Sequence, residues 1–224
     1  MNKMVIDTVI FDFDGTLLYT LEDLKTSVNF ALAKYNMPLR TLDEVRRFVG
    51  NGVERLMELS IPGGKENPSF AECFSDFKEH YLIHCNDTTK PYDGVMDMLK
   101  ILKEKGYKTA IVSNKYMDAT KELSKKYYND FIQVAIGEME GIRKKPAPDT
   151  VLEAIKELKS DKARCIYVGD SEVDVKTARN CDIPCISCLW GFRGKDELIQ
   201  NGADIFANKP LDVVTYLDEN TTIN

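Results

Sequence analysis

The feature that most constrains the fold is an alternation of short, continuously apolar runs with amphipathic stretches. The apolar runs predict strands at residues 5–11, 109–112, 132–136, 165–168 and 183–189. Helical periodicity predicts helices between them at residues 94–105, 117–125, 150–158 and 174–180. Strands that are apolar on both faces and separated by helices are typical of a parallel sheet with helices on both sides. The sequence therefore predicts the α/β class, with a doubly wound parallel sheet.

The alternation stops between residues 18 and 88. Helical patterns occur there at residues 21–35, 42–48, 53–59 and 70–84, with no strand pattern among them. Such an excursion is longer than a strand-to-strand crossover needs, so it predicts a helical domain inserted after the first strand. Pro91 and Gly94 are typical of the turn that returns the chain to the sheet. We expect residues 1–17 and 88–224 to form the α/β core and residues 18–87 to form the inserted α-helical domain.

The composition is that of a globular protein. Of the 224 residues, 43% are hydrophobic and 29% are charged, and no apolar stretch is long enough to span a bilayer. Asp7 interrupts the short apolar run of residues 1–11, which is unlike the apolar core of a signal peptide. We therefore expect a cytoplasmic protein with no membrane partner.

The charge balance indicates the kind of partner. A net charge of −6 argues against a nucleic-acid partner, because nucleic-acid binding needs a basic patch. We expect a small-molecule partner and a monomer or homodimer. An acidic protein that binds a phosphate must supply positive charge locally, from a lysine, backbone amides or a divalent cation.

Three closely spaced cysteines, Cys181, Cys185 and Cys188, suggest a metal or redox site at first sight. Cys185 and Cys188 lie in a predicted strand, where residues three apart point to opposite faces. We therefore interpret these cysteines as core thiols.

Polar residues follow three of the predicted strands. Asp12 and Asp14 follow the first strand, Ser113 and Asn114 the second, and Asp170 the fourth. The carboxyl ends of parallel strands meet at one edge of a sheet, where functional groups gather. Asp12 and Asp14 would share a face before the chain turns at the next glycine. Two carboxylates this close resist ionising together unless a cation or a shared proton intervenes.

Each of these groups also has a purely structural interpretation. Ser113 and Asn114 suit the cap of the following helix, and Asp170 and Asp174 suit an N-cap and a first helical turn. The lysine pair at residues 144–145 is typical of solvent-exposed side chains. The occurrence of all these groups in one chain favours a chemical role instead. A carboxylate nucleophile needs an acid or base, a hydroxyl donor, a fixed cation and further carboxylates for Mg²⁺.

Taken in order, these segments resemble the four motifs of the haloacid dehalogenase-like phosphohydrolases. The resemblance rests on residues 12–16, Ser113, the Lys145-Pro146 pair and residues 169–174. Residues 49–52, 190–193 and 202–204 resemble the phosphoglycolate phosphatase branch. The resemblance implies a Rossmann-like core, with the inserted domain as a small helical cap of the C1 type. Tyr19 departs from the pattern, because an acidic residue often occupies its position.

The resemblance also implies roles for individual residues. Asp12 would attack phosphorus and form an aspartyl phosphate, and Asp14 would protonate the leaving group and then activate water. Ser113 would bind a phosphoryl oxygen, and Lys145 would neutralise charge and orient Asp12. Mg²⁺ would be held by Asp12, the backbone carbonyl of Asp14 and Asp170, with Asp174 either as a further metal ligand or as a residue that supports these ligands. The candidate substrate-binding residues are Gly15, Thr16, Asn114, Gly50, Asn51 and Gly52. Arg193 is either near the substrate or structural.

These expectations describe a Mg²⁺-dependent phosphatase of a small organic phosphate monoester, with 2-phosphoglycolate as the leading substrate. A β-phosphoglucomutase-like phosphomutase and a pyrophosphatase or nucleotidase of the same superfamily are enzymatic alternatives. A phospho-accepting signalling module is a non-enzymatic alternative. It is less favoured, because the acceptor here ends the first strand and a helical domain follows it.

Overall fold

The computed structural model describes residues 4–222. The chain divides into two compact units, one of Met1–Leu17 with Pro91–Asn224 and one of Leu18–Lys90. We call the first the core unit and the second the inserted unit. Among the described residues, every helix is too short or too polar to cross a membrane.

Strands and helices alternate through most of the described chain. The strands are β1 (Met4–Val5), β2 (Thr8–Phe11), β3 (Leu18–Tyr19), β4 (Lys90–Pro91), β5 (Lys108–Tyr116), β6 (Val134–Glu138), β7 (Cys165–Gly169), β8 (Cys185–Cys188), β9 (Ile205–Ala207) and β10 (Thr221–Thr222). The helices are α1 (Leu21–Lys34), α2 (Leu42–Phe48), α3 (Val53–Ser60), α4 (Phe70–His84), α5 (Val95–Glu104), α6 (Met117–Tyr128), α7 (Asp149–Glu157), α8 (Glu172–Cys181), α9 (Lys195–Gln200) and α10 (Pro210–Asn220).

The core unit is built on a six-stranded sheet in the order β6-β5-β2-β7-β8-β9. Its neighbouring strands are parallel, and the chain runs from β2 to one edge and then back to the other. This is the doubly wound order, so the predicted α/β class is confirmed. Ile10 of β2 pairs with Ala110 on one side and Tyr167 on the other. The carboxyl ends of β2, β5 and β7 therefore lie side by side.

The sheet is held by apolar packing against its helices. All four residues of β2 are buried, as expected for a strand covered on both faces. One buried cluster joins β2, β5 and β7 to α7 and α8 through Ile10, Ala110, Tyr167, Val151 and Ala178. This packing fixes the strand ends, and with them the positions of the polar residues that follow.

The structure has elements that the sequence patterns did not predict. No element is predicted after residue 189, whereas α9, β9 and α10 follow there. β9 has three residues and α9 has six, which is too short for a periodic pattern to emerge. In α10, the buried residues Val213, Val214 and Leu217 have the spacing of a helical face. That signal was available in the sequence.

The inserted unit is helical, as predicted, and contains α1, α2, α3 and α4. Helix α1 buries Leu24, Val28 and Leu32, and α4 buries Phe77 and Tyr81. The prediction of no strand between residues 18 and 88 is wrong for Leu18–Tyr19, which pairs with β4. A strand of two residues carries no alternation that a sequence pattern could reveal.

The cysteines of the core unit are free thiols. Cys181 and Cys188 are buried, and Cys185 is half-buried. Burial raises the pKa of Cys181 to about 11. A neutral, buried thiol is the state expected for a packing residue, so the structure agrees with core thiols at Cys181 and Cys188, whereas Cys185 is only partly covered.

Candidate active site

Asp12 lies at the carboxyl end of β2 and is almost entirely buried, at 8% exposure. Its backbone N–H donates to the carbonyl of Val168 at 2.9 Å, which extends the pairing of β2 with β7 by one residue. The N–H of Phe13 donates to Asp12 Oδ1 at 2.6 Å. The backbone on both sides of Asp12 therefore fixes where its carboxylate lies.

Gly15 is the residue at which the chain turns after the two aspartates. Its φ of +91° lies in the region that side chains disfavour. A Cβ at this position would come within 2.5 Å of Asp170 Oδ2. Gly15 was a candidate for substrate binding, and in the structure it provides the space for the Asp170 carboxylate.

Lys145 is buried among the carboxylates of the site. Its Nζ lies 2.7 Å from Asp12 Oδ1 and 2.8 Å from Asp174 Oδ1. It also donates to the hydroxyl of Tyr167 at 3.0 Å. The ammonium group thus bridges two carboxylates that come from β2 and α8.

Asp12, Asp170 and Asp174 form a buried acidic triad. Each offers a carboxylate oxygen, and these oxygens lie within 4.8 Å of one another. Burial raises the pKa of Asp12 well above its usual value, and the charges of Asp174 and Asp170 raise it further against the opposing effect of Lys145. Burial, reinforced by the charge of Asp174, raises the pKa of Asp170 to about 7.

Asp174 behaves differently within the triad. Burial raises its pKa, but the charge and hydrogen bond of Lys145 and the hydrogen bonds from Ser171 outweigh burial and lower the pKa overall. One ammonium group therefore faces three carboxylates, which leaves an excess of negative charge. Clustered carboxylate oxygens are the ligands that hard divalent cations prefer. The residues of the triad therefore fit a divalent metal ion.

Asp170 is held from two directions. The hydroxyl of Thr16 donates to Oδ1 at 2.9 Å, and the N–H of Phe192 donates to Oδ2 at 2.7 Å. Gly191 lies against the same side chain, and a Cβ there would overlap the Cβ of Asp170. Trp190 Nε1 donates to the carbonyl of Thr16 at 2.9 Å. The segment after β8 thus supports the carboxylate that follows β7, and the hydroxyl of Thr16, a substrate-binding candidate, is directed at Asp170.

Ser113 and Asn114 lie at an irregularity near the carboxyl end of β5. The register of β5 with β6 shifts between Val112 and Tyr116. Ser113 is 2% exposed. The amide of Asn114 donates to the carbonyl of Lys145 at 3.0 Å and accepts from its N–H at 2.9 Å. Asn114, another substrate-binding candidate, therefore fixes the loop that carries Lys145.

Two residues of this cluster were missed by the sequence analysis. Tyr167 is fully buried, and its hydroxyl donates to Asp174 Oδ1 at 3.1 Å. Burial and the charges of Asp174 and Asp12 raise the pKa of Tyr167 well above its usual value, so it stays a neutral donor. Lys115 Nζ lies 3.2 Å from Asp14 Oδ1 and 3.3 Å from Oδ2. The sequence signal that could have revealed them is a side chain with a polar group, the Tyr167 hydroxyl in β7 and the Lys115 ammonium in β5, within a predicted strand or directly after it.

The remaining candidates lie elsewhere in the chain. Gly50, Asn51 and Gly52 form the turn between α2 and α3 of the inserted unit. Arg193 is buried in the core unit and pairs with Glu172 at 2.8 Å. The core unit itself brings Asp12, Asp14, Ser113, Lys145, Asp170 and Asp174 to the carboxyl ends of three neighbouring strands.

Known proteins with similar sequences include phosphatases. The profile described as haloacid dehalogenase-like hydrolase matches residues 9–188. A phosphoglycolate phosphatase of Aquifex aeolicus is 29% identical over 215 residues, covering 94% of this chain and 96% of that protein. Pyrophosphatase PpaX of Listeria welshimeri is 29% identical over 217 residues, covering 95% and 96%.

A solved structure supports the same assignment. A crystal structure from Lactobacillus delbrueckii subsp. bulgaricus, provisionally assigned as a phosphoglycolate phosphatase, has a TM-score of 0.89 and is 32% identical. The similarity covers 94% of this chain and 97% of that one, so it includes both units. The chain therefore belongs to the haloacid dehalogenase-like hydrolase family and is a phosphatase of its phosphoglycolate phosphatase-like branch.

Proposed function

We propose that the protein is a Mg²⁺-dependent phosphatase that hydrolyses a small organic phosphate monoester, with 2-phosphoglycolate as its substrate. The observation that carries this proposal is the buried contact of Asp12 with Lys145, at 2.7 Å, beside the carboxylates of Asp170 and Asp174. A fixed carboxylate next to an ammonium group, with further buried carboxylates that fit a divalent cation, suits nucleophilic attack on phosphorus.

In this proposal, Asp12 attacks phosphorus and forms an aspartyl phosphate. Lys145 holds the attacking carboxylate in place, and the hydroxyl of Ser113 donates to a phosphoryl oxygen. Asp14 protonates the leaving oxygen and then takes a proton from the water that hydrolyses the intermediate. Asp12, Asp170 and the backbone carbonyl of Asp14 would hold Mg²⁺, which would neutralise charge on the phosphoryl group when bound. Asp174 acts through Lys145, which it contacts at 2.8 Å.

The inserted unit is the proposed cap, with the limits expected from the sequence at residues 18–87. A cap that closes over a reaction centre excludes water and contacts the leaving group. Gly50, Asn51 and Gly52 are the proposed contact residues. The cytoplasmic location and the monomer or homodimer expected from the sequence stay predictions.

The choice of substrate rests on the relatives. The Aquifex aeolicus relative and the Lactobacillus structure both support phosphoglycolate. The pyrophosphatase relative, at the same 29% identity, makes inorganic pyrophosphate the second candidate. Both substrates carry a negative charge on the leaving group, which the leaving group of a sugar monophosphate lacks.

The test is a parallel measurement of kcat/KM, with Mg²⁺, for phosphoglycolate, pyrophosphate, a hexose phosphate and a nucleoside monophosphate. We expect phosphoglycolate to be hydrolysed with the highest kcat/KM. If pyrophosphate has the highest kcat/KM, pyrophosphate replaces phosphoglycolate as the proposed substrate, and the proposed mechanism stays the same. Equal values for all four compounds would contradict a specific substrate.

A further inference from the structure

Lys115 is a buried ammonium group that the proposed mechanism leaves without a role. Its side chain is 3% exposed, and its Nζ lies within 3.3 Å of both carboxylate oxygens of Asp14. Lysine is among the residues least often buried, because its charge must leave water. Two buried lysines therefore serve different carboxylates here, Lys145 for Asp12 and Lys115 for Asp14.

The backbone holds Lys115 firmly in this position. From Val112 to Tyr116, β5 advances by four residues while β6 advances by two, from Ile136 to Glu138. The irregularity contains Lys115, whose N–H donates to Ser113 Oγ at 3.2 Å and whose carbonyl accepts from the hydroxyl of Thr120 at 3.3 Å. Such irregularities redirect a side chain and are common beside active sites.

The neighbouring strand leaves little room for this backbone to move. A Cβ on Gly137 of β6 would come within 2.7 Å of the Lys115 carbonyl oxygen. The main chain of β6 therefore packs directly against that of Lys115. The Lys115 side chain therefore extends towards Asp14 from a fixed backbone position, and its ammonium group contacts the carboxylate that the proposed mechanism places beside the leaving group.

The charges of the cluster show what Lys115 adds. Asp12, Asp14, Asp170 and Asp174 carry four carboxylates against the ammonium groups of Lys115 and Lys145. A divalent cation would cancel the remaining negative charge. Without Lys115, an anionic leaving group would enter a site of net negative charge. Charge–charge attraction in a buried site is much stronger than in water.

We propose that Lys115 determines specificity by binding an anionic group on the leaving group, of which a carboxylate on the carbon that bears the ester oxygen is the best match. This inference rests on the proposed function, in which Asp14 contacts the leaving oxygen. A group that lies within 3.3 Å of the Asp14 carboxylate is placed next to the atoms attached to that oxygen. Lys115 then distinguishes phosphoglycolate from phosphate esters of similar size whose leaving group is neutral.

The experiment compares two substrates that differ only in this charge, 2-phosphoglycolate and the phosphate ester of glycolamide. In Lys115→Met, we expect kcat/KM for phosphoglycolate to fall about 10- to 100-fold, mainly through KM, because a charge-assisted contact is lost. For the amide we expect a fall that is at least about 5-fold smaller, because only the effect of Lys115 on Asp14 is lost. Lys115→Arg keeps the charge and should keep most of the preference for the carboxylate.

Lys108→Met is the matched control, because Lys108 lies at the other end of β5 and donates to the carbonyl of Lys159 at the surface. Both substrates should be hydrolysed by this variant as by the wild type. An equal loss for both substrates in Lys115→Met, mainly in kcat, would overturn the inference and make Lys115 a positioning residue for Asp14. If Lys115→Met does not fold, loss of the preference in a folded Lys115→Arg, or no preference in the wild type, overturns it. Failure of the wild type to hydrolyse either ester would overturn the proposed function and this inference with it.

Discussion

Asp12 and Asp14 are two residues apart, yet the structure gives their carboxylates different partners. Asp12 pairs with Lys145 at 2.7 Å and belongs to the acidic triad. Asp14 is partly exposed and pairs with Lys115. The two side chains therefore have different electrostatic surroundings, as expected if one attacks phosphorus and the other transfers protons.

The Asp12→Asn substitution tests the proposed nucleophile. An amide cannot form the acyl phosphate, so we expect kcat to fall at least about 1,000-fold. The measurement is phosphate release from phosphoglycolate, with folding checked by circular dichroism. Asp182→Asn is the control, because the Asp182 side chain is exposed at a helix end. Near-normal turnover by a folded Asp12→Asn protein would exclude Asp12 as nucleophile.

Tyr167→Phe tests the hydroxyl that lies between Lys145 and Asp174. The change leaves the direct contact of these two residues and removes a buried hydroxyl with two hydrogen bonds. We expect the free energy of unfolding to fall by about 1–3 kcal/mol and kcat to fall less than about 10-fold. Urea denaturation measures the first quantity. The half-buried Tyr216 gives a control, Tyr216→Phe, in which stability should change by less than about 0.5 kcal/mol.

At the scale of elements, the inserted unit contains a buried carboxylate that accepts several hydrogen bonds. Asp23 in α1 is 3% exposed and accepts hydrogen bonds from the N–H and hydroxyl groups of Thr88 and Thr89. The four distances are between 2.6 and 3.0 Å. Asp23 thereby ties the start of the unit to its end.

Asp23→Ala should destabilise the protein strongly, because two N–H groups and two hydroxyls lose their acceptor. We expect the free energy of unfolding to fall by about 3 kcal/mol or more. Asp23→Asn keeps one acceptor oxygen and should cost less. The adjacent control is Glu22→Ala, which removes a partly exposed ion pair with Lys25 and should cost under about 1 kcal/mol. Equal denaturation midpoints for the Asp23→Ala and Glu22→Ala proteins would contradict this role.

Sequence patterns predicted the elements that carry enough residues to show a period. The predicted patterns at 42–48 and 70–84 match α2 and α4 in both limits. Sequence patterns could not predict three of the strands, because β3 and β4 have two residues each and β9 has three. Pairing across the sheet, rather than local preference, makes these segments strands.

At the scale of the whole molecule, we expect the acidic triad to link stability to pH and to metal binding. Burial raises the pKa of Asp170 from its usual value of 3.8 to about 7. The folded protein therefore binds a proton that the unfolded chain releases between these pH values. Because the native state binds more protons, the free energy of unfolding falls as pH rises from about 4 to about 7.

We therefore expect the free energy of unfolding of the metal-free protein to fall between pH 5 and pH 7. One titrating carboxyl group contributes on the order of 1.4 kcal/mol per pH unit. Added Mg²⁺ should stabilise more at pH 8 than at pH 5, because protons compete for the carboxylates. Thermal unfolding with EDTA or Mg²⁺ measures both effects. Asp170→Asn should show a shallower pH dependence, whereas Asp182→Asn should follow the wild type. Identical pH slopes for these two variants would contradict the link.

The sequence by itself determined the α/β class, the inserted helical segment and the residues available for chemistry, because periodicity and strand ends are local properties. Only the tertiary structure decided which ammonium group faces which carboxylate. Lys115 and Asp14 are 101 residues apart, and Thr16 and Asp170 are 154 apart. Such contacts depend on the order and register of the strands, and no local pattern encodes the distance between two side chains that parallel pairing brings together.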